Sequence, residues 1–300
     1  MKKVILGAAA LMIGTMSYAQ NVNELDQMGS NNADIVQVST GTFYNNSDVD
    51  QDGSGNDAQV NQEGNNDSTV DQTGTGNMAD INQIGGNQPT FYVDVNTSTA
   101  IQNGSGNVID VDQANLGGGN PASGNISEID QNNVASGGDG NYARVLQGPF
   151  HNGSYVTQVN DDNSVNVDQF GGRNTSNTNQ TSDGVLSSVG AGFEQESTVV
   201  QRGNYNLSTV NQDGSNNQSS VDQQTSAGFP ITLGESNVAT IDQDGYNNMS
   251  TTTQSDSMLG NDGNNLITVT QENLSTAFLG NISTENQMGG NTATVTQTNN

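Results

Sequence analysis

Residues 46–86 run NSDVDQDGSG (46–55), NDAQVNQEGN (56–65), NDSTVDQTGTG (66–76) and NMADINQIGG (77–86). One unit, N-x-[A/S]-x-[V/I]-x-Q-x-G, repeats through this stretch. Self-similarity at a short fixed period marks a chain built by stacking one small element on the next. Aligned on its glutamine, the unit occurs 21 times, with Gln at 27, 37, 51, 62, 72, 83, 102, 113, 131, 147, 158, 169, 180, 201, 212, 223, 243, 254, 271, 287 and 297. Six positions earlier, Asn stands in 20 of the 21 copies, and Gln195 is the exception. Four positions earlier, Ala or Ser stands in 17, the exceptions being Asn23, Ile109, Val165 and Ile267. Val or Ile stands two positions earlier in 16 copies, and Gly two positions later in 11.

The constrained places lie two residues apart. That alternation specifies one face of a β-strand. Each unit is therefore expected to be a seven-residue strand with Asn, Ala/Ser, Val/Ile and Gln turned inward. The Gly-rich tail that follows is expected to be a tight turn. No 3.6-residue period suggests a helix beyond residue 19. Most successive glutamines are 10 or 11 residues apart, which leaves room only for a short reversal.

Such strands can pair as hairpins in one sheet, or they can face each other across a core and bond to rungs above and below. A one-faced sheet would leave a face of Asn, Gln and Val in water. Two facing sheets bury it and stack like on like, as amide ladders do in cross-β structures. The expected fold is all-β, a two-sheet β-solenoid with two strands per rung and about ten rungs. The amide ladder is expected to use Asn31, Asn45, Asn56, Asn66, Asn77, Asn107, Asn163, Asn206, Asn217 and Asn237. Their glutamine counterparts are Gln37, Gln51, Gln62, Gln72, Gln83, Gln113, Gln169, Gln212, Gln223 and Gln243. Insertions at 38–44, 84–95, 114–124, 132–140, 181–194, 224–236, 255–264 and 272–280 interrupt the array at turns, where a solenoid tolerates them. Phe43, Tyr44, Phe91, Phe193, Phe229 and Phe278 fall in these insertions and are expected to cover turn edges.

Composition agrees with this reading. The chain has 300 residues, 46 Asn, 27 Gln, 37 Gly and no Cys, and only 30% of it is apolar. An ordinary globular domain is about 45–50% apolar. That argues against a conventional enzyme core, and the missing cysteines exclude disulfides and thiolate metal sites. The formal charge of −27 argues against nucleic acid as a partner, because phosphate neutralisation needs Lys and Arg. Low apolar content with high charge also marks disordered chains. A disordered chain has no reason to hold this register.

Residues 1–19 form a separate segment. Lys2 and Lys3 precede an apolar run from Val4 to Met16, and Ser17-Tyr18-Ala19 fits a small-x-small cleavage site. This pattern reads as a secretory signal peptide, too short to span a bilayer. The expected organisation is a signal at 1–19 and one repeat domain at 20–300, exported and not inserted in a membrane. Without the signal the cations are Arg144, Arg173 and Arg202, and the charge is 3 − 32 = −29.

The spacing Gln51-Asp52-Gly53-Ser54-Gly55-Asn56-Asp57-Ala58-Gln59-Val60-Asn61-Gln62 resembles the curlin repeat. Curlins are subunits of curli, extracellular functional amyloid of bacterial biofilms. The resemblance covers about residues 21–297. It implies a β-solenoid subunit that leaves through a dedicated outer-membrane secretion pore, meets a nucleator and polymerises end to end on the cell surface. The inward Asn and Gln of that family carry over onto the positions named above. Several departures stand out. The array has about ten repeat pairs where short curlins have about five, large insertions interrupt it, and only a few residues separate the signal from the first strand. Asn115, Asn133, Asn160 and Asn273 also replace the turn glycine.

An open solenoid exposes an unpaired edge at each end, which most proteins block. Here the strands at 21–27 and 291–297 are regular copies, so Asn21, Gln27, Asn291 and Gln297 mark expected polymerisation edges. Like ends without closure give a filament. The expected function is a secreted structural subunit of curli-like fibres, acting in biofilm matrix and surface adhesion, with the chain itself as principal partner. The alternative is a soluble β-solenoid adhesin or binding module that uses the insertions. Catalysis is not expected, because the acids are spread along the array without a focal cluster. Asp precedes the repeat glutamine at 26, 50, 71, 112, 130, 168, 222 and 242. These carboxylates read first as solubilising self-repulsion and second as a divalent-cation array. His151 offers a single imidazole, and no metal or cofactor is expected.

Overall fold

The computed structural model describes residues 21–39, 44–85, 95–114, 124–133, 140–182, 195–225, 237–255, 265–274 and 280–299. The expected signal segment lies outside the described residues, as do most of each insertion, Asn115, Phe43, Phe91, Phe193, Phe229 and Phe278. Tyr44 is described, and it is exposed.

The described residues form an all-β, β-solenoid-like array of 19 strands. The first are β1 (Val22–Val38), β2 (Asn45–Glu63), β3 (Asn66–Thr75), β4 (Met78–Ile84), β5 (Asn96–Ser105) and β6 (Val108–Ala114). Next come β7 (Ile126–Asn132), β8 (Tyr142–Gln147), β9 (Gly153–Val159), β10 (Asn163–Gly172), β11 (Thr175–Ser182) and β12 (Gln195–Asn204). The array closes with β13 (Leu207–Ser215), β14 (Gln218–Gln224), β15 (Val238–Tyr246), β16 (Met249–Ser255), β17 (Leu266–Asn273), β18 (Ile282–Met288) and β19 (Thr292–Asn299).

Every pairing is parallel and joins a repeat unit to the next but one. Thus β3 pairs β5 and β5 pairs β7, while β4 pairs β6 and β6 pairs β8. The register sets repeat glutamine against repeat glutamine throughout, as in Gln72 with Gln102 and Gln83 with Gln113. Parallel strands need a crossover between them. Here the crossover is the intervening repeat itself, which explains why neighbours in sequence do not bond as hairpins.

β1 and β2 each hold two units. The turn between them counts as strand because it too pairs in parallel, with Gly29 on Gly53 and Ser30 on Ser54. The short turns use residues in the left-handed region. Gly53 and Gly74 have φ of +125° and +121°, and two residues later Gly55 and Gly76 have +72° and +68°. An added Cβ on Gly74 would lie 1.9 Å from the carbonyl oxygen of Gly104 in the next rung. This glycine is therefore fixed by its neighbour as well as by φ.

Burial alternates along each strand as the repeat requires. In β4, Ala79, Ile81 and Gln83 are buried while Met78, Asp80, Asn82 and Ile84 are not. The core is a continuous file of Val, Ile and Ala from Val49 to Val269. It includes Ile109, Val165 and Ile267, which replace the small residue of the pattern. Asn and Gln are buried as fully as the aliphatics, so their amides must find partners inside.

Candidate functional site

The chain's distinctive chemistry is its buried amides. Each repeat glutamine donates from Nε2 to Oε1 of the glutamine one rung later. The distances are 2.8 Å for Gln72 to Gln102, 3.0 Å for Gln102 to Gln131 and 2.8 Å for Gln131 to Gln158. The parallel series runs through Gln83, Gln113, Gln147 and Gln169 at 2.8, 2.8 and 2.9 Å. Nothing reverses this direction from Gln27 and Gln37 to Gln287 and Gln297.

A second Nε2 hydrogen reaches a strand of the other series of pairings. Gln72 donates to the carbonyl of Asp57 at 3.0 Å, Gln102 to Met78 at 2.9 Å and Gln131 to Val108 at 3.0 Å. This acceptor is the residue five places before the preceding repeat glutamine, and Gln83 and Gln223 donate in addition to the carbonyls of Asn96 and Asn237. One amide thus ties its strand to the next in its own series and to a strand of the other series. Asparagine, one methylene shorter, could not make both bonds from this place.

The asparagines run the other way. Asn107 donates from N and from Nδ2 to Oδ1 of Asn77, both at 3.1 Å, one rung earlier. Asn174 does the same to Asn152, and Asn206 to Asn174. Their Nδ2 groups also hold the turns, as where Asn77 donates to the carbonyls of Thr73 and Gly104 at 3.2 Å each. The series breaks between Asn248 and Asn281, although both places keep asparagine, and also where the sequence pattern itself breaks. Gln195 takes an asparagine place, and both its Oε1 and the Oδ1 of Asn163 one rung earlier are buried without a hydrogen-bond partner.

The structure brings the named residues together in these series: Asn45, Asn66 and Asn96; Asn56, Asn77 and Asn107; Asn206, Asn237 and Asn265. Asn217 bonds Asn248, and Asn163 bonds Asn141. Asn31 accepts from the backbone of Asn56, and Gln37 donates to Gln62. Gln212, Gln223 and Gln243 each donate onward in register.

At the two ends the pattern stops half made. Inside the stack the repeat glutamines are buried, but Gln27 is exposed, and Gln37, Gln287 and Gln297 are partly so. Ala33, Ile35, Ala293 and Val295 lie against the core with one side uncovered. No described strand lies beyond Gln27 and Gln37 to donate to their Oε1 atoms, and none beyond Gln287 and Gln297 to accept. One end therefore offers glutamine acceptors and the other glutamine donors. Sequence reading located these strands but not their opposite polarity. It also missed the outward Val22, Met28, Ile282 and Met288, 47–70% exposed, that flank them.

Outside, the register stacks carboxylates. Asp26, Asp50 and Asp71 fall in one file, as do Asp80 and Asp110. Burial, and then neighbouring Asp50 and Asp48, hold Asp71 above the usual carboxylate range. Burial with Asp110, Asp112 and Asp57 does so for Asp80, and burial with Asp244 and Asp213 for Asp242. Asp110 is raised by burial and Asp112 but pulled back by Arg144. Arg144 lies between Asp110 at 4.0 Å and Asp168 at 2.8 Å. Among the described residues no group of three or more His, Asp or Glu could hold a metal ion.

No protein-family model matches the chain, and comparison with curated proteins gives no match.

Proposed function

We propose that this chain is a secreted structural subunit of extracellular, curli-like amyloid fibres. In this reading the two series of pairings are the two sheets of a β-solenoid with two strands per rung. Copies add end to end through the strands at residues 21–27 and 291–297 and those beside them, and serve biofilm matrix and adhesion. The observation that carries the reading is the pair of unfinished amide series, acceptors at one end and donors at the other. Each backbone or amide bond completed at a junction contributes a net ~0.5–1.5 kcal/mol. A junction of two strands supplies many such bonds at once. Export through a curli-type pore and start-up by a nucleator belong to the same reading and rest on the repeat resemblance.

The test is growth from purified protein diluted out of denaturant. Thioflavin fluorescence should rise after a lag that preformed seed abolishes. Fibre diffraction should give reflections near 4.8 Å and about 10 Å. A soluble β-rich monomer indifferent to seed would favour the binding-module reading instead.

A further inference from the structure

We infer that successive copies join with a half turn about the filament axis. The inference rests on the end-to-end reading above and adds the orientation that the structure demands. The 21 repeat units alternate between two series of pairings. Because their number is odd, the first unit, in β1, and the last, β19, belong to the same series, linked through β2, β3, β5 and onward to β17. The next place in the winding therefore lies over β18, in the other series. A copy added without rotation would set its first unit over β19 and leave a strand-wide gap over β18. Rotation by half a turn fills every place and keeps all strands parallel.

The amides obey the same choice. Gln27 has the onward bond to Gln51. Among the described residues no rung lies behind it and no facing strand before it. Seated over β18, Gln27 of the incoming copy accepts from Gln287 and faces the carbonyl of Thr292, the residue five places before Gln297. Gln37 of the incoming copy then accepts from Gln297. Both glutamine series continue with their direction unchanged.

Side-chain register agrees. With a half turn, Val22 of the incoming copy meets Ile282, and its Met28 meets Met288. All four are outward and well exposed in the single chain. Its Ala33 and Ile35 meet Ala293 and Val295, which completes the uncovered core. Its Gly29 meets Gly289, where φ is +74° and a Cβ would meet nothing within 4 Å, whereas the Cβ of Gly53 would strike Gly74. Without rotation, Val22 meets Thr292, Asn23 meets Ala293, and Gly29 meets Asn299.

The chain has no cysteine, so introduced pairs report the junction directly. Fibres of a V22C/I282C double variant, oxidised after growth and dissolved in denaturant, should run as a ladder of covalent multimers. V22C/T292C fibres should stay monomeric, with at least a ten-fold lower cross-linked fraction. The opposite pattern overturns the half turn while leaving end-to-end growth intact. Electron cryo-microscopy of fibres of the unaltered protein gives the same decision without mutation. A rotation near 180° per subunit, with an axial step of about 50 Å, supports the inference, and a rotation near zero overturns it. Absence of any fibre overturns the end-to-end reading and this inference together.

Discussion

Gln102 donates from Nε2 to Oε1 of Gln131 at 3.0 Å, in the direction opposite to that in which Asn107 donates to Asn77. The two kinds of amide file therefore have opposed dipoles. Over a stack of about ten rungs this opposition cancels much of the field that one polarised file would build. It also leaves each end with one kind of donor and one kind of acceptor. Replacing Gln102 by Leu removes the acceptor of Gln72, the donor to Gln131 and the donor to Met78. Each buried group left without a partner costs about 1–3 kcal/mol. Gln102→Leu should unfold at a clearly lower guanidinium concentration than the parent, while the outward Thr99→Leu should shift it little. Equal midpoints for all three would remove the ladder's share in stability.

The break at Gln195 gives the reverse test. Asparagine there restores the residue type that elsewhere donates to the preceding asparagine, and gives Asn163 Oδ1 its missing partner. Gln195→Asn should stabilise the chain by about 1 kcal/mol, read as a higher denaturation midpoint. An unchanged or lower midpoint would mean that the site is already satisfied by other means.

Two neighbouring turn glycines should respond unequally. Gly74 has φ +121° and a Cβ position 1.9 Å from Gly104 oxygen, while Gly76 has φ +68° and nothing within 4 Å. Gly76→Ala meets conformational strain alone, about 1 kcal/mol. Gly74→Ala must also push two rungs apart, and should cost several times more or prevent folding. Circular dichroism melts of the two variants compare them, and similar losses would contradict the packed-turn account.

Stacked carboxylates make stability depend on pH. Asp71, Asp80, Asp110 and Asp242 are held above their ordinary value of 3.8, so the folded chain binds their protons more tightly than the unfolded one. Their contribution to stability is fully present below pH 3.8 and is lost as pH rises through the raised values. Melting should occur at a higher temperature near pH 3.8 than near about pH 7.5 as far as these groups decide it. Salt should narrow the difference by screening. Asp71→Asn with Asp242→Asn should flatten the profile, and a melting temperature that climbs with pH would reverse the sign argued here.

Glu285 occupies an inward place held by Val or Ile in 16 of 21 units. Its Oε1 accepts from Ser283 Oγ, and its Oε2 is buried without a hydrogen-bond partner. A copy seated on β18 covers this carboxylate with Leu25 of the incoming chain. Burying a charge without a partner is costly. Glu285→Val should therefore speed seeded elongation several-fold, measured by thioflavin fluorescence at matched protein and seed. Unchanged elongation would place the rate-limiting contact elsewhere.

Much of this was legible because the inward pattern repeats in register. A strand has a side-chain period of two, so Asn, Ala/Ser, Val/Ile and Gln at alternate places could only share one face. The departures were legible too: Ile109, Val165 and Ile267 are buried where Ala or Ser is usual. Less visible was the second left-handed place in each longer turn. Arg173, Tyr205, Asn216 and Asn247 hold it with φ of 56–60°. Gly55, Gly76 and Gly106 mark the same place in other turns of 11-residue glutamine spacing, but Arg173 and Tyr205 are not residue types that signal it.

The sequence by itself determined the strands, their inward faces, the like-on-like register and the place of the turns, because these follow from local period and from the gain of burying matched side chains. The tertiary structure alone decided which way each amide file points and where the second glutamine hydrogen goes. It also decided that each unit pairs with the next but one, which with an odd number of units puts the first and last in one series. Those depend on carbonyls that come close only when unit n packs against units n − 1 and n + 2, and no single repeat contains that information.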